Sequence, residues 1–156
     1  MAYRTIVMVL STIGLLSTPA LASDDEFKGD AAATWSARSL MMAHLDVNGT
    51  DPSAIGRMLA VSCDGITGEQ MHHEYGKVPR WALGSQLEIC AGYNGWAHKF
   101  GASKNPCKSL EQGLKQLENA QPGKAPEDVV AAAAALRETV SNLLKAAQSN
   151  RGGCHP

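Results

Sequence analysis

Four cysteines constrain the fold of this chain more than any other feature of its sequence. They stand at Cys63, Cys90, Cys107 and Cys154. An even number of cysteines in an exported chain is typical of disulfides, and four cysteines allow three pairings. The sequence does not choose among the three. We favour Cys63–Cys90 with Cys107–Cys154, because each pair then joins neighbouring elements. The alternative is a metal site or a reactive thiol, but no two cysteines form a C-x-x-C pair.

Export is indicated by the first 22 residues, which have the pattern of a secretory signal peptide. Arg4 supplies the positive start, Ile6 to Leu16 the apolar stretch, and Ala20-Leu21-Ala22 the small-residue cleavage site. The apolar stretch is about 11 residues long, well short of the roughly 20 that span a bilayer. We therefore predict a signal peptide over residues 1–22 and a single helical domain over residues 23–156. The mature protein is expected to be soluble and periplasmic or secreted.

Composition narrows the function classes. The chain has 156 residues, of which 44% are hydrophobic and 19% charged, and its formal net charge is -1. This length and apolar content indicate one globular domain. A near-neutral chain has no basic field with which to grip phosphates, so binding to nucleic acid is disfavoured.

Helical patterns fill most of the mature chain, and no alternating pattern typical of β-strands is long enough to matter. The polar residues Asp24 to Asp30 are expected to fray. The turn at Asp46 to Pro52 resembles a calcium-binding loop, but its sixth and twelfth positions hold Asp51 and Arg57 where that loop has Gly and Glu. We predict an all-α fold, a small disulfide-bridged bundle of about five helices, over residues 31–44, 52–62, 81–100, 108–119 and from 126 onward.

Apolar spacing predicts which helix faces are buried. The last helix has the clearest pattern, a repeat of four and three residues over Val129, Ala133, Leu136, Val140, Leu143 and Ala147. In the helix over 81–100 we expect a buried stripe of Leu83, Leu87, Cys90, Ala91, Asn94 and Ala97. On an adjoining strip, Gly92 and Gly95 allow another backbone to approach closely. In the first helix Trp35, Leu40 and Met42 are expected to face the core, and all three tryptophans (Trp35, Trp81, Trp96) are interpreted as packing residues.

The stretch from Asp64 to Pro79 is predicted to be a long loop, and long loops in compact domains are often functional. Within it Met71, His72, His73, Glu74 and Tyr75 concentrate polar and amphipathic groups outside any helical stripe. Adjacent histidines point in different directions, so a shared metal site is awkward, and the H-E-x-x-H zinc motif is absent. We predict that these five residues contact a partner protein, and we assign no catalytic, cofactor-binding or metal-binding residue.

The segment Cys90-Ala91-Gly92-Tyr93-Asn94-Gly95 resembles a C-x-G-Y-x-x-G-type segment, with its last glycine one place early. Such segments occur in the Tai-type immunity proteins of bacterial type VI secretion systems. Leu59 to Cys63 is similar to the L-x-x-x-C segment that precedes the motif there, and Cys107 with the late Cys154 is similar to that family's closing pair. The resemblance implies a helical, disulfide-bridged periplasmic protein that neutralises a peptidoglycan amidase. Only the cysteines and the Gly92-Tyr93 pair carry over, as structural positions.

Three functional hypotheses follow. The first is a periplasmic protein that binds and inhibits another protein, such as an immunity protein that blocks the cleft of a cell-wall amidase. We expect no membrane span after cleavage of the signal peptide, and the sequence leaves open whether the chain forms homo-oligomers. The second is a periplasmic small-ligand-binding or stress protein that holds its ligand between helices. The third is an enzyme that uses His72, His73 or His98 with Glu74 or Glu88, although no nucleophile and base stand out.

Overall fold

The structure, a computed structural model, describes residues 26–45, 52–63, 76–97, 103–149 and 154. Within these residues the chain forms five helices and no strand, which confirms the predicted all-α fold. A lone bridge joins Pro122 and Ala125. The helices are α1 (Ala31–Ala43), α2 (Pro52–Cys63), α3 (Arg80–Trp96), α4 (Pro106–Leu117) and α5 (Glu127–Ser149).

The longest helix, α5, buries the face that its sequence predicts. All six residues of the predicted seam are at most 1% exposed, and Ala132 is buried beside them. This face packs mainly against α1 and also against α4. Two side chains add polar links: Thr139 Oγ1 donates a hydrogen bond of 2.7 Å to the carbonyl of Ala43, and Arg137 Nη2 donates one of 2.6 Å to the carbonyl of Leu117. The Thr139 link supplies a donor to the last carbonyl of α1, and the Arg137 link adds a second donor to the Leu117 carbonyl, which also accepts a 3.1 Å hydrogen bond from the backbone N–H of Ala120.

The buried face of α3 differs from the predicted stripe. Leu87 is 41% exposed, whereas Ser85, Gln86 and Ile89 are fully buried. The prediction failed because the contact between α1 and α3 is partly polar. The Gln86 side-chain amide donates hydrogen bonds of 3.0 Å to the carbonyl of Trp35 and 2.9 Å to Ser39 Oγ. A search for apolar residues cannot find a helix face that is buried through hydrogen bonds.

In the first helix, too, polar residues are buried where an apolar residue was predicted. Trp35 and Met42 face the core as predicted, but Leu40 is 40% exposed. Ser36 and Ser39 are buried in its place. Ser36 Oγ donates a 3.0 Å hydrogen bond to Asp128 Oδ2 in the first turn of α5, where a carboxylate also suits the helix dipole.

Glycines bring α3 and α4 close together, as predicted for Gly92 and Gly95. A Cβ atom on Gly92 would lie 2.6 Å from Leu110 Cδ2, and one on Gly95 would lie 2.7 Å from Pro106 Cγ. From the α4 side, a Cβ on Gly113 would lie 2.5 Å from Ile89 Cγ1. These contacts run in opposite directions along the two helices, so α3 and α4 are antiparallel.

The two disulfides have the predicted connectivity. Cys63–Cys90 joins the end of α2 to α3, with a Cα–Cα distance of 5.7 Å. Cys107–Cys154 joins the first turn of α4 to the chain beyond α5, with a Cα–Cα distance of 5.1 Å. Structural disulfides are typical of chains that fold in an oxidising compartment.

The predicted helix boundaries hold to within a few residues. The largest difference at a described start is in α4, which begins at Pro106 instead of residue 108 because Asn105 Oδ1 accepts a 3.1 Å hydrogen bond from the backbone N–H of Lys108. This contact is a side-chain cap of the kind that starts helices. The third helix ends at Trp96, with Ala97 as its C-cap, so its predicted end at residue 100 is four residues too late. The predicted signal peptide lies outside the described residues. Among the helices that are described, none has the length and apolar content needed to span a membrane.

The Cys107–Cys154 bridge closes the longer of the two loops, with a sequence separation of 47 residues against 27 for Cys63–Cys90. Replacing Cys107 and Cys154 together by Ala is expected to lower the free energy of unfolding by about 4 kcal/mol, because the unfolded chain regains the entropy of an open loop. Urea unfolding followed by circular dichroism measures this loss. A change below about 1 kcal/mol would mean that the bridge adds little to the helical packing.

Candidate functional site

A cleft of about 630 Å³ opens where three segments meet. Glu26 and Phe27 come from the segment before α1, and Trp81 comes from the first turn of α3. The connection between α4 and α5 contributes Asn119 and residues 123–126. The cleft therefore lies at the end of the α3–α4 pair that is opposite to Gly95 and Pro106.

Aromatic rings form the base of the cleft. Phe27, Trp35 and Trp81 meet edge to face, with ring centroids 5.7–6.2 Å apart. Trp35 is fully buried behind the other two, and its indole N–H donates a 2.8 Å hydrogen bond to the carbonyl of Ala82. Edge-to-face contacts and a satisfied indole N–H fix the orientation of the rings. Phe27 and Trp81 remain half-buried, so parts of their surfaces face the cleft.

One wall of the cleft is a tight turn between α4 and α5. The carbonyl of Gln121 accepts hydrogen bonds from the backbone N–H of Lys124 (2.9 Å) and of Ala125 (3.2 Å). Gly123 has a φ of 80°, a left-handed conformation that favours glycine. Gln121 Nε2 also donates a 2.7 Å hydrogen bond to the carbonyl of Glu118. The wall thus has a fixed backbone conformation.

The segment that carries Glu26 and Phe27 is fixed by contacts with the segment before α3. The backbone N–H of Lys28 donates a 2.9 Å hydrogen bond to the carbonyl of Lys77. Gly76, with a φ of 89°, packs so closely on Lys28 that a Cβ atom there would collide with the Lys28 carbonyl. The prediction that Asp24 to Asp30 frays is therefore wrong for the described residues 27 and 28. The prediction failed because the Phe27 ring packs in the aromatic cluster and thereby attaches this polar segment to the bundle.

Polar groups stand at the edge of the cleft. Glu26 and Lys124 carry opposite charges, both are exposed, and neither forms an ion pair within the described part of the chain. Asn119 is also exposed, and its Nδ2 donates a 3.2 Å hydrogen bond to the carbonyl of Gln116. An apolar base with a few polar groups above it is the usual composition of a small-ligand site.

The predicted partner-binding residues Met71, His72, His73, Glu74 and Tyr75 lie outside the described residues. The predicted turn over 46–51 and His98 also lie outside the described residues. Of the residues named in the enzyme hypothesis only Glu88 is described, and it is half-buried on α3. The residues on both sides of the segment 64–75, up to 63 and from 76 onward, are described. On one side Cys63 is bridged to Cys90, and on the other Gly76 and Lys77 are fastened to Lys28.

The segment of α3 that carries the family resemblance has a packing role here. Tyr93 is fully buried, and its hydroxyl donates a 3.4 Å hydrogen bond to the carbonyl of Met42. Burial raises the pKa of the Tyr93 phenol above its usual value. Cys90 Sγ lies 3.5 Å from Met42 Sδ, so the disulfide and the tyrosine both contact the end of α1.

No group of three or more His, Cys, Asp or Glu side chains is placed to hold a metal ion in the portions of the chain that the structure describes. Sequence reasoning missed the cleft, and its one signal was the spacing of aromatic residues, Phe27 and Trp35 flanking the start of α1. No protein-family model, characterised protein or solved structure matches this chain.

The close contact at Gly92 makes it sensitive to a single added methyl group. Gly92→Ala is expected to lower the free energy of unfolding by about 1–2 kcal/mol, because the clash with Leu110 outweighs the gain in helix propensity. Gly84→Ala on the same helix is the matched control. There the Cβ atom would meet only the end of the flexible Gln116 side chain, which can rotate away. Urea unfolding of both variants measures the difference, and an equally stable Gly92→Ala protein would contradict the close packing.

Burial of Tyr93 predicts a loss of stability at alkaline pH. The phenol stays protonated in the folded protein, whereas in the unfolded chain it ionises near its ordinary pKa of 10.0. The contribution is fully present below about pH 10 and falls above it by up to about 1.4 kcal/mol per pH unit. Tyr93→Phe should remove this part of the decline. Unfolding free energies of both proteins at about pH 9, 10 and 11 test it, and parallel curves would exclude Tyr93 as the cause.

Proposed function

We propose that this chain is an exported, periplasmic protein that acts by binding another polypeptide. The observation that carries the proposal is that the bundle holds the residues on both sides of the segment 64–75, which belongs to the loop predicted over residues 64–79. A disulfide fixes the residue before this segment, and the Lys28–Lys77 hydrogen bond with the close Gly76 contact fixes the residues after it. A loop with fixed ends loses less conformational entropy on binding than one with free ends.

The predicted contact residues Met71 to Tyr75 fall within this segment. They combine a thioether, two imidazoles, a carboxylate and a phenol, which gives the loop both apolar and hydrogen-bonding groups. Tyrosine and methionine are enriched where proteins contact one another. Histidine adds a dependence on pH near 6, because protonation of the imidazole changes the charge of the loop.

The partner class comes from the resemblance to Tai-type immunity proteins. Such a protein protects the cell by steric blockage of a peptidoglycan amidase, and it needs a rigid scaffold more than chemistry of its own. Two disulfides and a seam of fully buried residues on α5 supply that rigidity. We therefore propose a cell-wall amidase of type VI secretion as the partner, with its cleft blocked by the loop.

An inhibition assay tests this function directly. The oxidised protein is titrated against purified type VI peptidoglycan amidases, each acting on isolated peptidoglycan, and the release of soluble fragments is measured. We expect full inhibition of one amidase near equimolar protein. Replacing all five residues Met71 to Tyr75 by Ala is expected to raise the inhibitor concentration needed by at least about 100-fold, since hot-spot residues dominate interface energies.

The control variant carries alanine at three exposed helix positions far along the chain from the loop, Gln112, Lys115 and Glu138. It should inhibit as the native protein does. A five-alanine variant that keeps full inhibition and native circular dichroism would reject the loop as the contact. Failure of the native protein to bind or inhibit any amidase of this class would reject the proposed partner.

A further inference from the structure

We infer that the cleft between Phe27, Trp81 and the α4–α5 turn binds a short peptide that carries both a free amino group and a free carboxylate. Its lining residues differ from the proposed contact residues Met71 to Tyr75, and the inference stands whether or not those residues bind an amidase. The described residues that line it come from three different parts of the chain.

The size of the cleft suits such a ligand. Its volume of about 630 Å³ falls within the range of roughly 300–1,000 Å³ that small-molecule sites occupy. Phe27 and Trp81 offer half-buried aromatic surface at the base, where an apolar side chain of the ligand loses contact with water. Pro126 and Ala125 extend this apolar surface along one wall.

The charges around the cleft select the ligand class. Glu26 carries a carboxylate that attracts an ammonium group, and Lys124 carries an ammonium that attracts a carboxylate. The Asn119 side chain can accept from or donate to a peptide bond between the two ends. A neutral sugar can stack on Trp81 but makes no use of the opposite charges, and an apolar ligand uses neither them nor Asn119. A zwitterionic peptide matches all three kinds of group.

The walls of the cleft are already formed without a ligand. The backbone of the α4–α5 turn is fixed by hydrogen bonds to Gln121, and the segment of Phe27 is fixed to Lys77. A preformed site avoids the cost of ordering side chains and loops on binding. A small ligand can therefore bind here with few contacts.

Tryptophan fluorescence of the full oxidised protein tests the inference with the tripeptide Ala-Phe-Ala as the probe. Trp81 lines the cleft, so saturable changes in emission are expected at peptide concentrations on the order of 0.1–1 mM. Trp81→Phe should abolish the change, while the matched variant Trp96→Phe should keep it. Binding without an optical signal is checked by calorimetry on the same samples.

Blocked peptides and charge variants test the recognition of the two ends. Amidation of the peptide carboxylate should lower the affinity about fivefold or more, and Lys124→Glu should lower it by a similar factor. The amidated peptide should bind the Lys124→Glu variant only slightly more weakly than either single change predicts, because both changes remove the same contact. Acetylation of the peptide amino group and Glu26→Lys should each weaken binding in the same way, and their effects should likewise not add. As controls, Lys145→Glu and Glu138→Lys reverse exposed charges on α5 that do not line the cleft, and they should leave the affinity unchanged.

Three results would overturn the inference. One is the absence of Ala-Phe-Ala binding up to about 10 mM, the weak end of measurable affinity. Another is equal binding of the free and doubly blocked peptides. The last is tighter binding of the neutral sugar chitotriose than of the peptide, which would make the cleft a saccharide site.

Discussion

The close antiparallel contact of α3 with α4 is the constraint from which much of this molecule follows. Along the pair, Gly95 meets Pro106, Gly92 meets Leu110 and Gly113 meets Ile89, so at each step one helix has no side chain. The approach brings Tyr93 and Cys90 to the end of α1 and holds the start of α4 where Cys107 can be bridged. At the far end of the pair α3 carries the bulky Trp81 instead of a glycine, and the cleft lies there.

How far the sequence predicts the fold depends on what buries each helix. Helix α5 is buried by aliphatic residues, and its spacing predicts every residue of its seam. Helix α3 buries glycines and the polar Ser85 and Gln86 beside Ile89 and Tyr93, and the apolar pattern therefore points to the exposed Leu87. Gln86 keeps one oxygen, Oε1, without a hydrogen-bond partner, which is uncommon for a buried amide and shows that the polar contact has a cost. Hydrogen bonds between distant helices depend on tertiary placement, which a local pattern cannot contain.

The same distinction applies to the sites. A loop over 64–79 is predicted from the sequence because glycine, proline and polar residues interrupt the helical patterns. The cleft is assembled from residues up to about a hundred positions apart, Glu26 to Pro126, and no single segment shows it. Phe27 belongs to it although its neighbours are polar, because one ring that packs on Trp35 and Trp81 is enough to fasten the segment.

The order of the cysteines along the chain has a consequence for how the protein is made. When the exported chain proposed above enters an oxidising compartment from its N-terminus, Cys63 and Cys90 reach the oxidant before Cys107, and Cys154 follows after α5. The bridge between Cys63 and Cys90 can thus close before α4 and α5 have formed. Cys107 then has no unpaired thiol earlier in the chain to react with and remains available for Cys154, so sequential oxidation leads to the native connectivity without reshuffling.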